Sequence, residues 1–345
     1  MKTYKVTIGI PVYNVEKYIR QTMDSVLAQT FEDIEILICD DSGTDSSIDI
    51  IKEYQNNHPR GSDICILSQP YNKGIGAARN LILANAHGRY LYFLDADDVI
   101  EPQTIGLLYN TAQEYKAEIV YGSYDRIYTN YDKIVKTVPY PYPHKVFTEP
   151  DTYADYVYNV GVQGMNWNYL IDIDIIRSHH LQVTPVAHGY GEDFTFTVDL
   201  PTYITRAVLL PDITYHYYIR GIDKHFRKKV LSYENMETAI KALEDKKNRK
   251  ELKDRSYYGK RISVLMMLCC SFACQTVAKR KEFDRPFSNK EIRRAMSHPM
   301  TFWEVLNTKS GRFHNLFYWT IGNAPSFLSV WLLKLMIKRY GMKMV

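Results

Sequence analysis

Short apolar runs alternate with segments of helical spacing over the first hundred residues. The strand-like runs cover residues 6–11, 34–39, 64–67 and 90–95. They are bounded by polar turns and read as strands that are buried on both faces. The segments of helical spacing cover residues 16–28, 46–54 and 74–86. This alternation of strand and helix predicts an α/β fold built on a parallel sheet.

Polar side chains follow three of these predicted strands. Asn14 follows the first strand, Asp40 ends the second, and Asp95, Asp97 and Asp98 end the fourth. Because ligands of parallel sheets bind outside the carboxyl ends of the strands, we expect these side chains to share one crevice. Three carboxylates within four positions repel one another and favour a bound cation such as Mg²⁺ or Mn²⁺. The alternative is an Asp-rich turn that caps the next helix.

The pattern becomes irregular after residue 123. A helix is predicted at residues 151–158 and a strand at residues 207–211, with an acidic pair, Glu192 and Asp193, opening a helix between them. Beyond residue 223 the chain is helical and basic. We therefore expect a second region with a different structure and role.

Charge is distributed unevenly along the 345 residues, although the formal net charge is only +4. Residues 241–345 contain 22 Lys and Arg and 8 Asp and Glu, which leaves 21 basic and 31 acidic residues in 1–240. The first part is suited to cations and the second to an anionic surface. The five cysteines lack metal-ligand spacing, and no apolar signal region opens the chain. Both observations favour a cytoplasmic protein with reduced thiols.

Two segments raise the question of a membrane. Residues 262–278 carry no charged side chain and reach the lower edge of spanning length, but Ser263, Ser271 and Gln275 favour a buried or interfacial helix. Residues 327–339 alternate apolar and basic side chains around Trp331. That pattern is typical of a helix in a membrane interface, and also of an amphipathic helix that closes a core.

Five short motifs stand in order along the chain. They are Ile-Pro-Val-Tyr-Asn at 10–14, Asp-Asp-Ser at 40–42, Asn-Lys-Gly through Ala-Arg-Asn at 72–80, Phe-Leu-Asp-Ala-Asp-Asp at 93–98 and Gly-Glu-Asp at 191–193. Each is weak alone, but their order and spacing together resemble glycosyltransferase family 2. The resemblance covers about residues 1–220. It implies an α/β GT-A domain, Rossmann-like and typical of nucleotide-diphospho-sugar transferases, at residues 1–222, followed by a mainly helical region at 223–345.

The resemblance implies a nucleotide-sugar site at the strand ends. Tyr13 would stack near the base, and Asp40 would accept hydrogen bonds from the base, which would be uracil in a UDP-sugar. Asp95 would contact the ribose or the water shell of the metal, and Asp97 would ligate a Mn²⁺ or Mg²⁺ cofactor bridging the phosphates. The implied donor-binding residues are Pro11, Val12, Tyr13, Asn14, Glu16, Asp40, Lys73, Arg79, Asp95, Ala96 and Asp97.

The resemblance also implies residues for transfer. Asp193 would act as the catalytic base, and Glu192 could exchange roles with it or hold the acceptor; the alternative is an acidic pair favoured by a helix N-terminus. Arg220 would meet the diphosphate, and Trp167 would line the acceptor site. His216 would complete the metal site, while a structural histidine is equally open.

These roles imply an inverting glycosyltransferase that moves a sugar from a nucleotide-diphospho-sugar to an acceptor hydroxyl, in cell-surface polysaccharide or glycolipid synthesis. The expected partners are a nucleotide-sugar donor, a saccharide or lipid-linked saccharide acceptor and an anionic membrane at the inner face of the cell; no nucleic-acid-binding module is present. Two alternatives are an inactive nucleotide- or glycan-binding protein on the same scaffold and a sugar nucleotidyltransferase. The second would need a Gly-rich, basic phosphate-binding loop directly after the first strand, where this chain has Pro-Val-Tyr-Asn.

Overall fold

The chain forms two compact units, neither of which is continuous in sequence. The computed structural model describes residues 4–130, 133–161, 164–187, 190–220, 231–308 and 310–340. The sheet unit comprises residues 1–153, 165–188 and 203–225, and the helical unit comprises residues 154–164, 189–202 and 226–345. The boundary that we predict between residues 222 and 223 lies outside the described residues.

The described part of the sheet unit contains ten strands in one mixed sheet. They are β1 Val6–Val12, β2 Ile34–Asp40, β3 Ile64–Ser68, β4 Tyr90–Phe93, β5 Val99–Ile100, β6 Ile119–Asn130, β7 Lys133–Tyr140, β8 Lys145–Phe147, β9 Tyr169–Asp172 and β10 Ala207–Arg220. Their order is β3-β2-β1-β4-β9-β6-β10-β5, with β7 beside β6 and β8 beside β10. Strands β1 to β4 are parallel, as predicted.

The helices follow the sequence pattern to within a few residues in the first half. They are α1 Ile19–Leu27, α2 Ser47–Asn57, α3 Ile75–Asn85, α4 Thr104–Tyr115, α5 Thr152–Val160, α6 Ile173–Ser178, α7 Glu192–Thr197, α8 Tyr233–Lys247, α9 Tyr258–Ala278, α10 Asn289–Ala295, α11 Phe302–Asn307, α12 Arg312–Asn323 and α13 Ser326–Tyr340. Helix α1 begins later than predicted because Asn14 has a φ of 52° and a turn closed by the carbonyl of Val15 precedes the helix.

The second half of the sheet differs from the irregular segment that we expect after residue 123. Strand β6 pairs in parallel with β10, and β7 returns antiparallel beside β6. The predicted strand at 207–211 is the first part of β10, which continues to Arg220. The pairing of β6 with β10 joins segments far apart in sequence, so local periodicity gives little sign of it.

Helix α9 is the central helix of the helical unit. It packs against α8, α10, α12 and α13. Within the described part of the chain it is the one helix long and apolar enough to cross a membrane, and 61% of its most apolar stretch is buried inside the protein. That burial agrees with the expectation of a buried helix near residues 262–278.

Candidate functional site

The carboxyl ends of three parallel strands lie side by side at one edge of the sheet. In β1 and β2, Val12 is the register partner of Asp40. In β1 and β4, Gly9 is the partner of Phe93, so the turn that follows β4 lies beside the end of β1. The alignment that the sequence predicts for Asn14, Asp40 and the aspartates is therefore present, and this edge is the candidate site.

The turn after β1 is fastened to the loop after β2. The side-chain carbonyl of Asn14 accepts a hydrogen bond from the Thr44 N–H at 2.7 Å. Glu16 accepts from the Ser46 N–H at 3.0 Å, and its own N–H donates to Asp45 at 2.9 Å. These bonds give Asn14 and Glu16 a supporting role and leave Tyr13, which is 47% exposed, as the side chain presented at the edge.

Pro11 and Val12 are buried within β1, so they shape the backbone of the turn and present little side-chain surface.

The paired aspartates at the end of β2 differ from each other in burial and in hydrogen-bond partners. Asp40 is half-buried and accepts from the Gly43 N–H at 3.2 Å. Asp41 is buried and accepts from the N–H groups of Lys73 and Gly74 at 2.8 and 3.0 Å.

Burial raises the pKa of the Asp41 carboxyl, although these backbone donors oppose the shift. Asp41 therefore holds the loop before α3 in place. In that loop, Gly74 has a φ of 89°, which a side chain would strain. The Lys73 ammonium lies 5.2 Å from the ring centre of Tyr71.

The turn at residues 95–98, which we call the aspartate turn, carries three carboxylates and meets two arginines. Arg79, almost fully buried on α3, donates to Asp95 at 2.9 Å. Arg220, near the end of β10, donates to the Asp97 carboxylate at 2.7 Å and also to the Asp97 carbonyl oxygen. The Asp97 side chain remains 38% exposed. The structure thus brings together four of the predicted site residues.

Asp98 has a structural role that the sequence leaves open. Its side chain is fully buried and accepts from the Tyr215 hydroxyl and the Tyr218 N–H, each at 2.8 Å. Burial, together with repulsion from Asp97 and Asp95, raises the pKa of Asp98 well above its ordinary value. Asp98 therefore fastens β10 to the aspartate turn and places Arg220 beside Asp97.

A second fastening acts on the backbone of the same turn. The Thr22 hydroxyl, on α1, lies 3.0 Å from the Ala96 carbonyl oxygen and 2.8 Å from that of Asp98. Ala96 itself is buried. The turn is thus held from α1 on one side and from β10 on the other, which fixes where Asp95 and Asp97 point.

Trp167 lies in an aromatic cluster beneath this turn. Its ring stacks on Tyr215 at 4.4 Å, contacts Tyr217 at 5.1 Å, and meets Tyr124 edge-on at 5.1 Å. Only 3% of Trp167 is exposed, so these contacts support Tyr215. The cluster escaped sequence reasoning, although the two-residue spacing of Tyr215 and Tyr217 places both on one face of a strand.

His216 has a carboxylate partner on each ring nitrogen. Its Nδ1 lies 2.8 Å from Asp125, and its Nε2 lies 2.8 Å from Glu101. This arrangement favours the alternative of a structural histidine, because a metal ligand must offer an unprotonated ring nitrogen to the metal. The metal-ligand role for His216 stays a prediction that these contacts do not support.

A divalent cation can still be tested against the donor set of the aspartate turn. Within the residues that the structure describes, no group of three or more His, Cys, Asp or Glu side chains could hold a metal. Mg²⁺ and Mn²⁺ need fewer protein ligands where a nucleotide binds, because one or two carboxylates and the substrate phosphates suffice. Asp97, a partly exposed carboxylate at the strand edge, fits that requirement.

Glu192 and Asp193 belong to the helical unit. They are the first residues of α7, which follows Gly191 at a φ of 75°. Glu192 is buried and Asp193 is half-buried. The Asp193 carbonyl accepts from the Thr197 hydroxyl at 2.9 Å, as expected for an intact first turn. The role of Asp193 as the catalytic base stays a prediction.

A buried ion cluster in the same unit, the Asp199 cluster, fixes the segment that carries α7. Arg261 donates to one Asp199 oxygen at 2.8 Å, and Arg249 donates to the other at 2.8 Å. Burial alone would raise the pKa of Asp199, but Arg261, Lys246 and Arg249 outweigh it and hold that pKa below its ordinary value. The sequence gives no sign of this cluster.

Comparisons with known proteins concern the family and the fold. Residues 7–167 match the model of the family Glycosyl transferase family 2. The chain is 42% identical over 120 residues to the glycosyltransferase GlyA of Streptococcus pneumoniae, covering 35% of this chain and 17% of GlyA. It is 28% identical to the putative glycosyltransferase EpsH of Bacillus subtilis, over 67% of this chain and 66% of EpsH.

Another relative is the poly(ribitol-phosphate) beta-glucosyltransferase of Bacillus spizizenii, 28% identical over 69% of this chain and 37% of that protein. The chain thus spans less than two thirds of the length of these relatives. Among solved structures, residues 1–349 of Staphylococcus aureus TarS in complex with UDP match with a TM-score of 0.57 and 17% identity, over 92% of this chain and 90% of that one. That likeness confirms the predicted α/β GT-A fold. The predicted resemblance to glycosyltransferase family 2 is thus confirmed over residues 7–167.

Proposed function

We propose that this protein transfers a sugar from a UDP-sugar to an acceptor hydroxyl in the synthesis of a cell-surface polysaccharide or glycolipid. The observation that carries the proposal is the aspartate turn, where two arginine-paired carboxylates lie at the ends of parallel strands. The match of residues 7–167 to the glycosyltransferase family 2 model supports it. The TarS complex with UDP, a protein of the same fold, supports the choice of nucleotide.

In this proposal the donor lies across the strand ends. Tyr13 offers an exposed aromatic face to the base, and Asp40 accepts hydrogen bonds from the uracil. The Arg79 and Arg220 guanidinium groups supply positive charge where the diphosphate would lie, since guanidinium matches phosphate oxygens in geometry. Asp95 is held by Arg79 at the ribose side of the site.

Asp97 would hold Mn²⁺ or Mg²⁺ at the diphosphate. The chemistry that such a cation supplies when bound is neutralisation of the charge on the leaving diphosphate. Asp98 and Tyr215 keep the Asp97 carboxylate in place through the fastened turn. Arg220 contributes a second positive charge beside the same carboxylate.

Transfer with inversion is a single displacement in which Asp193 is the proposed base. Asp193 takes the proton of the acceptor hydroxyl while that oxygen forms a bond to the anomeric carbon. The bond from the anomeric carbon to the phosphate oxygen breaks, and its electron pair leaves with UDP. Glu192 is the proposed acceptor-holding residue, and the acceptor is a saccharide or a lipid-linked saccharide.

A donor screen tests the proposal. Purified protein is incubated with UDP-, GDP- and TDP-sugars in the presence of Mn²⁺ or Mg²⁺, and nucleotide release by slow hydrolysis is followed. We expect release from UDP-sugars above the protein-free rate, and loss of that release in Asp97→Asn but not in Asp49→Asn, an exposed carboxylate on α2. If none of these nucleotide-sugars is either hydrolysed or bound, the proposed transferase is excluded.

A further inference from the structure

Helix α13 of the helical unit presents an apolar stripe on its open side. Phe327, Trp331 and Leu335 are 69, 53 and 43% exposed, and they recur every four residues. Leu333, on the other side of the same helix, is 0% exposed and faces the interior of the unit. A stripe of large apolar side chains outside a packed helix marks an interaction surface.

The exposed stripe also carries positive charge and no negative charge. Lys334 and Lys338 are exposed and lie seven and eleven positions after Phe327, on the same side of the helix. No Asp or Glu occurs from Arg312 to Tyr340, which covers α12 and α13 entirely. On α12, Phe313 and Phe317 are 85 and 46% exposed, so the aromatic exposure is not confined to one helix.

Two depressions lie along this side of α13. One, of about 550 Å³, is lined by Phe327, Trp331, Lys334 and Arg280 among others. A second, of about 410 Å³, shares Arg280 and Lys334 and adds Lys279, Lys281 and one acidic residue, Glu282. Aromatic rings therefore border the first recess, and cationic side chains outnumber the carboxylate in the second.

We propose that this face, formed by the open side of α13 and the C-terminal end of α9, binds the surface of an anionic lipid bilayer. Phe327 and Trp331 would enter the boundary between head groups and acyl chains, where aromatic rings are stabilised. Lys334 and Lys338 would extend their ammonium groups to the phosphates, because long basic side chains lie along apolar surface and keep the charge in the polar layer. Arg280 and Lys279 would receive a lipid head group in the recesses.

The charge pattern selects this occupant over a second copy of the chain. Two copies that met through this face would bring the same lysines together, with no carboxylate on α12 or α13 and with Glu282 outnumbered by the basic side chains around it. A bilayer containing phosphatidylglycerol offers negative charge and an apolar layer at once. Helix α9 is not required to cross it, because its apolar surface packs against α8, α10, α12 and α13.

Vesicle cosedimentation of the full chain tests the proposal without depending on the transferase activity. Binding is expected to vesicles of mixed phosphatidylglycerol and phosphatidylcholine and to be weak with phosphatidylcholine alone. Lys334→Gln with Lys338→Gln should weaken binding about 30-fold, equivalent to about 2 kcal/mol. The matched control, Lys133→Gln with Lys136→Gln, removes two exposed lysines from β7 and should bind as the parent does.

The contribution of the apolar side chains of α13 is tested separately with the double variant Phe327→Ser and Trp331→Ser. The control is Ile134→Ser with Val135→Ser on β7, where the side chains are exposed to a similar degree. Only the first pair should lose binding. Brominated acyl chains should quench the tryptophan fluorescence, and Trp331→Phe should remove most of that quenching while binding persists. Circular dichroism and urea unfolding establish that each variant folds.

Several results would overturn the proposal. One is absence of binding to anionic vesicles, or binding that the α13 variants leave unchanged. Another is quenching that survives in Trp331→Phe, which would place the bilayer elsewhere. A third is an oligomer that the Phe327→Ser and Trp331→Ser variant dissociates, because the face would then bind a second copy. Displacement of the chain from vesicles by inorganic phosphate at constant ionic strength would also overturn it, because the face would then bind a free anion.

Discussion

The two units each contain a charge cluster, and the clusters differ in balance and exposure. The aspartate turn has three carboxylates and two arginines, with Asp97 38% and Asp95 23% exposed. The Asp199 cluster has one carboxylate between two arginines, and Asp199 and Arg261 are 1 and 0% exposed. The first cluster is open at Asp95 and Asp97, while its third carboxyl, Asp98, is buried with a raised pKa; the second cluster is closed and positive.

This difference separates a site for a ligand from a structural element. A buried carboxylate that accepts from two guanidinium groups is satisfied, so adding a ligand there would cost free energy. Two accessible carboxylates close together repel each other less when a cation binds between them. Strong ion pairing alone is thus a poor guide to function, whereas carboxylates that stay accessible at a strand edge can still accept a cation.

The largest expected effect concerns Asp193, six residues before Asp199 in the same segment. Asp193→Asn should lower the transfer rate about 10²- to 10⁴-fold, because the acceptor proton loses its base. UDP-sugar binding and the urea midpoint should stay near those of the parent, since the change is isosteric. Transfer assays and calorimetric donor titrations check both. Unchanged transfer would show that Asp193 is not the base.

Asp199→Ala should lower the stability of the fold, whereas Asp193→Asn should lower only the transfer rate. Removing the carboxylate leaves the buried Arg261 guanidinium without its charge partner, so the free energy of unfolding should fall by about 3–5 kcal/mol. The loss is measured by urea unfolding followed by circular dichroism. Asp212→Ala, at an exposed position of β10, is the control. A stable Asp199→Ala variant that lost only donor binding would contradict the structural role of the cluster.

His298 tests whether buried titratable groups of the helical unit act on stability alone. Burial lowers its pKa from 6.5 to about 4, while its Nδ1 accepts from the Met300 N–H at 3.2 Å. Between these values the unfolded chain binds a proton that the folded chain does not, so the free energy of unfolding falls as pH decreases. At pH 4.5 this loss is about 2.5 kcal/mol.

His298→Gln should remove that part of the pH dependence, which urea unfolding at pH 7 and pH 4.5 measures against the parent. Donor binding at pH 7 should be the same in both. An acid sensitivity that is equal in parent and variant would show that His298 is protonated in the folded chain over this range.

The parallel part of the sheet could be predicted from the sequence because its signals are local. Strands β1, β2 and β4 are mostly apolar, and β1 and β4 are buried at every position. Their parallel arrangement brings the polar turns to one edge of the sheet, as the sequence predicts for the turns that follow Asp40 and precede Asp97. The helical pattern of residues 327–339 likewise predicted α13.

The roles of Asp98 and His216 depend on partners distant in sequence. The buried role of Asp98 follows from Tyr215 and Tyr218, more than a hundred residues later. His216 follows Tyr215 directly, but its neighbours Glu101 and Asp125 come from two other strands or turns. A sequence shows that such residues can ionise or donate, and only the fold shows which of them meet.

The central claim is that the open, carboxylate-rich cluster holds a cation together with the donor. Isothermal titration of UDP into the parent, Asp97→Asn and Asp49→Asn, with and without Mn²⁺, tests it most directly. We predict that Mn²⁺ strengthens UDP binding to the parent and to Asp49→Asn by at least about tenfold, and that Asp97→Asn loses this gain. Equal binding with and without Mn²⁺ in the parent, or a full Mn²⁺ effect in Asp97→Asn, would contradict the claim.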